Sequence, residues 1–243
     1  MKLACLNNEP EIFYSIQGEG VSIGKPAIFV RLSQCNLHCV WCDTPYTWNW
    51  ENTKFSHPKK ANRKESQVEI SIDEIIKIIG NYPCKRIILT GGEPFIQQEE
   101  LAILIQKLRF IDSTYFFEIE TNGTFEPSVS FDKLINQYNV STKLSNCGDT
   151  EKLRIKTDAM AFFSKSEKSN FKFVIETQPD LDEIQSLEKQ FSIPRDKILL
   201  MPQAQTKEAL QKQQEELIET CKTFGYTYSD RLHIRIYGDK KGV

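Results

Sequence analysis

The sequence predicts an α/β fold: a mostly parallel sheet of about six strands, wrapped by helices and left open as a partial, incomplete barrel. Short apolar runs alternate with amphipathic stretches from residue 27 to residue 236, the pattern of strand–helix units in a parallel sheet. The strand count falls short of the eight that a closed barrel needs. Three polar motifs (a cysteine run, a Gly-Gly-Glu-Pro and a Thr-Asn-Gly) each follow a predicted strand. Sites in parallel α/β folds gather at those carboxyl ends.

Each element has its own warrant. Ala27–Leu32 is an apolar run that reads as the first strand of the alternation, with the cysteines at its end. Ser71-Ile72-Asp73-Glu74 matches a capping box, and Ile72, Ile75, Ile76 and Ile79 then recur at helical spacing until Pro83. Arg86–Thr90 is the next strand, closed by Gly91-Gly92-Glu93-Pro94. Leu101, Leu104, Ile105 and Leu108 form a helix face, and Tyr115–Glu120 is a strand ending at Thr121-Asn122-Gly123. Asn139–Thr142 and Asn170–Ile175 read as strands, followed by a helix carrying Leu181, Ile184, Leu187 and Phe191. Lys197–Met201 is the sixth strand of the alternation. Leu210, Leu217, Cys221 and Phe224 share one face of the last long helix, and His233–Ile236 is expected as a short final strand. The chain reads as a single domain, 1–243, interrupted by a polar, basic segment at 46–67 that contains Trp48, Trp50, His57 and a run of lysines and arginines. That segment is expected to be a solvated, mobile insertion; the alternative is a lid or a docking surface for an electron donor.

Composition narrows the class. The chain has 243 residues, 40% hydrophobic and 26% charged, with a formal net charge of −2. Those values suit one globular domain and give no reason to expect a nucleic-acid partner. The first ten residues turn polar too soon for a signal peptide, and no apolar run approaches the ~20 residues of a membrane span. A cytoplasmic protein is expected. In that reducing compartment an odd set of seven cysteines is not a disulfide framework. Closely spaced cysteines there read as metal ligands.

Cys35, Cys39 and Cys42 form a C-x3-C-x2-C run. Three thiolates in one loop can converge on one metal centre. Four cysteines would saturate an iron–sulfur cubane, so three leave one iron open to a small molecule. A structural zinc needs four ligands. His38 and His57 are nearby candidates, but no second cysteine pair is present. A zinc-stabilised, non-enzymatic module therefore stands as a minor alternative. Cys5, Cys84, Cys147 and Cys221 are isolated in sequence and read as ordinary thiols.

The cysteine run at the end of a strand, followed by Gly91-Gly92-Glu93-Pro94 after the next one, resembles the radical S-adenosylmethionine (SAM) superfamily. Ser15-Ile16-Gln17-Gly18-Glu19-Gly20, Phe29-Val30-Arg31-Leu32, Cys42-Asp43-Thr44 and Glu120-Thr121-Asn122-Gly123-Thr124 are similar to the 7-carboxy-7-deazaguanine synthase family. The resemblance covers nearly the whole chain, with 46–67 least covered. It implies a shortened radical SAM barrel and a lyase that converts 6-carboxy-5,6,7,8-tetrahydropterin to 7-carboxy-7-deazaguanine with release of ammonia. Such an enzyme serves the biosynthesis of queuosine, a tRNA modification, and of other deazapurines. A homodimer is implied, with a flavodoxin or ferredoxin as electron donor.

Residue roles follow from the same resemblance. Cys35, Cys39 and Cys42 would hold a 4Fe-4S cluster, and Thr44 a Mg2+ ion. Trp41, Cys42, Asp43, Gly92, Glu93, Ser141, Thr142, Lys143, Met201, Pro202, Gln203 and Ala204 would surround SAM. Ile16, Gln17, Gly18, Glu19, Arg31, Thr90 and Val243 would meet the pterin, with His233 and Tyr237 nearby. No protein side chain is expected to carry the radical, which SAM supplies. Thr142 stands where the family has proline, and Met201-Pro202-Gln203-Ala204 differs from the family's Gln-Pro. Another radical SAM enzyme, such as a glycyl-radical-enzyme activase, would lack Gln17-Gly18-Glu19 and the Cys42-Asp43-Thr44 run.

Overall fold

The structure, a computed structural model, describes residues 1–55 and 57–243. Ser56, inside the 46–67 segment, lies outside the described residues. In chain order the elements are β1 (Lys2–Leu6), β2 (Glu9–Pro10), β3 (Ile12–Ile16), β4 (Pro26–Leu32), α1 (Arg63–Ser66), β5 (Gln67–Glu69), α2 (Ile72–Ile79) and β6 (Arg86–Gly91). Then come α3 (Gln98–Ile111), β7 (Phe116–Thr121), α4 (Val129–Asp132), β8 (Gln137–Val140), α5 (Glu151–Arg154), α6 (Thr157–Lys165) and β9 (Ser169–Ile175). The chain ends with α7 (Gln178–Phe191), β10 (Ile198–Pro202), α8 (Lys207–Phe224), β11 (Thr227–Tyr228) and α9 (Leu232–Tyr237).

Strands β4, β6, β7, β8, β9 and β10 run parallel and lie side by side in sequence order, with two-residue β11 beyond β10. The sheet does not close on itself. These six strands are the ones expected, and the open barrel is as expected.

The structure departs from expectation at both ends of the chain. Strands β1, β2, β3 and β5 form an antiparallel edge in which β1 and β3 pair with β4, and β2 and β5 pair with β1. These strands are at most five residues long and sit among turn residues, too short for a two-residue period to stand out. His233–Ile236, expected as a strand, is part of helix α9. The sheet edge is already occupied by β11, and the amides of Ile234 and Arg235 turn back to the Arg231 carbonyl.

Side chains alternate across each strand, and here the two faces have different jobs. One face carries Ile28, Val30 and Leu32 of β4, Ile87 and Leu89 of β6, Phe117 and Ile119 of β7, Phe171 and Phe173 of β9 and Leu200 of β10. These residues pack against Leu101, Leu104 and Leu108 of α3 and Leu181, Ile184 and Leu187 of α7. Phe95, Phe131, Tyr138 and Phe163 meet there mostly edge to face, at centroid separations of 5.3–6.3 Å. The opposite face carries Arg31, Thr90, Glu120, Ser141 and Lys172 and lines a cavity. The expected capping box is formed: the Glu74 amide donates to Ser71 Oγ at 3.3 Å, and the Ser71 amide donates to Glu74 Oε2 at 3.1 Å.

Residues 46–67 were expected to be solvated, but the inner part of the segment is packed. Thr47, Trp48, Asn49 and His57 are buried, and Gln67 enters β5. Its lysines and arginines stay on the outside, so the composition reported the outer surface only.

The loop after β6 is zipped to the start of the cysteine loop. The amides of Gly92 and Glu93 donate to the carbonyls of Leu32 (3.1 Å) and Gln34 (2.8 Å). A Cβ at Gly92 would lie 1.9 Å from the Gln34 carbonyl oxygen, so only glycine permits the approach. Gly92→Ala is expected to cost on the order of 3 kcal/mol through backbone displacement. Chemical denaturation checks this; an unchanged midpoint would mean that the contact yields freely.

Candidate active site at the carboxyl ends of the strands

A cavity of about 260 Å³ opens where the parallel strands end. At one end is the cysteine loop that follows β4. The loop is fixed by contacts from distant elements: the Val40 amide donates to the Cys147 carbonyl (2.9 Å), the His38 amide to Asp149 Oδ2 (2.7 Å), and the Trp41 indole to the Asn146 carbonyl (3.0 Å). The Thr121–Thr124 turn after β7 braces it further. Asn36 Nδ2 donates to Thr124 Oγ1, and Asn122 Nδ2 donates to Asn36 Oδ1, both at 2.9 Å. Three separate strand ends thus hold one loop.

Cys35, Cys39 and Cys42 all line the cavity. Burial pushes the Cys35 thiol up to about 12, and burial followed by the neighbouring Asp43 charge also raises Cys42. Three neighbouring thiolates in this partly desolvated loop are therefore costly as bare anions, and a cationic metal centre would relieve that cost. The donor set fits an iron–sulfur cluster, which these three cysteines would hold with one iron left without a protein thiolate.

Cys147, isolated in sequence, is not isolated in space. Its Sγ lies within 4.8 Å of Cys39 Sγ and of an Asp149 carboxylate oxygen. A separation of more than a hundred residues hid this from a reading based on local spacing. Cys147 is buried with Leu37 and Cys39 and is not among the cavity-lining residues, whereas Cys35, Cys39 and Cys42 are.

Among the residues expected to surround SAM, Trp41, Asp43, Gly92, Ser141, Lys143, Met201 and Gln203 line the cavity. Lys143 Nζ donates to Ser141 Oγ at 2.7 Å and sits 5.6 Å from the Trp41 ring centre. Glu93, Thr142, Pro202 and Ala204 are not among the lining residues. Glu93 is fully buried and accepts from the amides of Phe95 (3.1 Å) and Asn122 (2.7 Å) and from Thr121 Oγ1 (2.8 Å). Burial pushes its carboxyl up to about 7 against those donors. Its carboxylate ties the end of β6 to the end of β7. Thr142 points its hydroxyl at Met160 Sδ (3.5 Å), and the Ala204 carbonyl accepts from Arg231 at 2.6 Å. Thr44 lines the cavity with its hydroxyl 3.8 Å from Cys42 Sγ.

Among the residues expected at the substrate, Ile16, Gln17, Gly18, Glu19, Arg31, Thr90 and Val243 all line the cavity, as does His233. Tyr237 is on the surface, 41% exposed. Helix α9 presses on the Gln17–Glu19 turn: a Cβ at Gly18 would lie 2.1 Å from His233 Nδ1, and the Leu232 amide donates to the Gly18 carbonyl at 2.8 Å.

Sequence reasoning missed Glu120, Lys172, Arg231 and Glu11. Glu120 accepts from Gln17 Nε2 (2.9 Å) and from Thr90 Oγ1 (2.7 Å). Lys172 pairs with Glu19 Oε2. Arg231 donates to Glu19 Oε1 at 3.0 Å and to Asp43 Oδ2 at 2.7 Å. Glu11 accepts from Arg31 Nε (2.7 Å) and from the Tyr46 hydroxyl (2.8 Å), which anchors the guanidinium beside the cavity. Burial would raise the Glu19 carboxyl, but the charges of Lys172, Arg231 and His233 hold it well below the usual range. Burial lowers His233 despite that carboxylate. The signal that could have found Glu120 and Lys172 is a charged residue beside core-facing apolar ones in a strand, Ile119-Glu120 and Phe171-Lys172-Phe173. Such a residue points away from the core.

Comparison with known proteins agrees with this geometry. Residues 30–137 match the family model of the Radical SAM superfamily. A curated 7-carboxy-7-deazaguanine synthase from Pyrobaculum aerophilum is 33% identical over 237 residues, covering 96% of this chain and 95% of the relative. Another from Rhodopirellula baltica is 31% identical, covering 96% and 87%. The crystal structure of QueE from Escherichia coli superposes with a TM-score of 0.66 at 27% identity, covering 96% of this chain and 95% of that one. With a parallel sheet that ends in an open three-cysteine loop, and with likeness along almost its full length, the chain belongs to the 7-carboxy-7-deazaguanine synthase family of radical SAM enzymes.

Proposed function

We propose that this enzyme converts 6-carboxy-5,6,7,8-tetrahydropterin to 7-carboxy-7-deazaguanine with release of ammonia, supplying queuosine and other deazapurines. The observation that carries the reading is one cavity with a three-cysteine loop at one end and fixed polar groups suited to a carboxylated heterobicycle at the other. A cytoplasmic location is part of this proposal; among the described residues no helix is long and apolar enough to cross a membrane.

Cys35, Cys39 and Cys42 would hold the 4Fe-4S cluster. When bound, cluster and SAM supply hydrogen-atom abstraction from carbon. The protein's part is to bind, orient and exclude water. Trp41, Ser141, Lys143, Met201 and Gln203 form the wall nearest the cysteine loop and would receive SAM. Gln17, Glu120 and Thr90 form a bonded set whose amide and carboxylate would read the aminopyrimidine edge of the pterin. Glu19, expected to meet the pterin, has one oxygen engaged by Lys172 and the other by Arg231. It therefore supports the wall. Arg31, anchored through Nε, would meet the substrate carboxylate with its terminal nitrogens. Thr44, with Asp43 beside it, would bind Mg2+ together with substrate oxygens and waters. A homodimer reduced by a flavodoxin or ferredoxin completes the proposal.

The test is anaerobic incubation of reconstituted protein with reductant, SAM, Mg2+ and the carboxytetrahydropterin, followed by mass spectrometry. The deazaguanine acid and ammonia are expected; SAM cleavage without that product would refute the substrate. Omitting Mg2+ should slow the native enzyme more than Thr44→Ala, and an identical metal response would remove Thr44 from the metal site.

Cys39→Ala is expected to lose the cluster iron and its brown colour while far-UV circular dichroism stays native. Retained iron and turnover would overturn the ligand assignment.

Because the folded Glu19 carboxyl lies below its unfolded value, its stabilisation is present above the unfolded pKa of about 4.3 and is lost as pH falls below it. Glu19→Gln should cost roughly 3 kcal/mol at neutral pH by taking the carboxylate from Lys172 and leaving Arg231 with Asp43 as its one acidic partner among the described residues. The gap in melting temperature from the native protein should narrow on acidification from about pH 5 to about pH 3. A pH-independent gap would contradict the ion-pair account.

A further inference from the structure

Trp48, in the 46–67 segment, reaches the sulfur of one of the three loop cysteines. It is 3% exposed, and its indole Nε1–H donates to Cys42 Sγ at 3.4 Å. The ring has little freedom to leave that bond. His38, Phe55 and His57 meet it edge-on at centroid distances of 5.3, 5.6 and 5.9 Å, and His38 stacks on Phe55 at 3.5 Å. Asn49 closes the segment beneath the ring by donating to the carbonyls of His57 (3.0 Å) and Lys59 (2.7 Å). A basic, polar segment thus delivers one buried N–H to one cluster sulfur.

An N–H aimed at an iron-bound thiolate draws electron density from the sulfur. It stabilises the more negative, reduced state of the cluster and so raises its reduction potential. The other polar contacts on these thiols are longer or belong to the loop itself: the Thr44 hydroxyl lies 3.8 Å from Cys42 Sγ, and the Leu37 amide 3.5 Å from Cys35 Sγ. The Leu37 contact comes with the backbone of the loop, whereas the indole is a side chain that the segment had to bring in. We propose that Trp48 is a positioning residue for the cluster: its N–H bond to Cys42 Sγ raises the cluster's potential and eases reduction by a weak donor. This rests on Cys35, Cys39 and Cys42 being the cluster ligands and is independent of the pterin assignment.

The experiment is a redox titration of the reconstituted holoenzyme, without SAM or pterin, followed by the electron paramagnetic resonance signal of the reduced cluster. Trp48→Phe keeps an aromatic ring and removes the N–H. Its cluster content should match the native protein, and its midpoint should move to more negative potential. At a fixed applied potential the reduced-to-oxidised ratio is expected to fall about tenfold, or about 59 mV for one electron. Trp50→Phe is the control, because the Trp50 indole donates to the Tyr46 carbonyl at 3.1 Å; its midpoint should not move. A native midpoint in loaded Trp48→Phe, or an equal shift in Trp50→Phe, would overturn the proposal. Should Trp48→Phe fail to load, 3-benzothienylalanine at position 48, a near-isostere with sulfur in place of the N–H, decides the matter. A negative shift there supports the hydrogen bond, and an unmoved midpoint removes it. A native protein that loads zinc and no iron–sulfur cluster would refute the ligand assignment itself. A wrong product from a protein with the expected shift would refute only the proposed substrate.

Discussion

Three thiolates at one end of a buried cavity repel each other, and the surrounding structure is organised around holding them together. The cysteine loop makes little regular structure of its own. It is pinned by the Gly92–Gln34 approach from the end of β6, by the Asn36–Asn122–Thr124 bonds from the end of β7, and by the carbonyls of Asn146 and Cys147 beyond β8. These anchors come from segments far apart in sequence, so the three cysteines can converge only once the parallel strands are in register. Electrostatics makes the arrangement one-sided: burial disfavours the bare anions, and a cationic cluster turns that penalty into affinity.

The polar end of the cavity follows the same logic with opposite charges interleaved. Glu19 sits among Lys172, Arg231 and His233, Asp43 takes the far side of Arg231, and Arg31 takes Glu11. Charges paired and fixed before a ligand arrives need little rearrangement when it binds. Helix α9 belongs to this end, since Gly18 lacks a side chain where His233 must lie.

The six parallel strands were legible because buried strands of β-branched and aromatic residues are long enough to stand out, as in Ala27–Leu32 and Arg86–Thr90. Most of the cavity lining was legible from motifs. The residues that escaped notice did so for physical reasons. Cys147 and Arg231 act across more than a hundred residues of sequence. Glu120 and Lys172 were absorbed into strands read as apolar. Glu93 was placed at the cofactor by resemblance, but its three hydrogen bonds commit it to joining two strand ends. The 46–67 segment looked soluble because its lysines and arginines dominate its composition, while its inner side chains do the packing.

The alternation along the strands ties folding to chemistry more tightly than a shared scaffold would. In β4, β6, β7 and β9 the residues Val30, Leu89, Ile119 and Phe171 belong to the core, and Arg31, Thr90, Glu120 and Lys172, each one step further along, belong to the cavity. A slip of a single residue in pairing would exchange the two sets. It would bury four polar or charged side chains and turn four apolar ones toward the ligands. The penalty that keeps the oil-filled layer in register therefore also proofreads the reactive surface, and a misaligned chain with a sound interior is not an accessible failure.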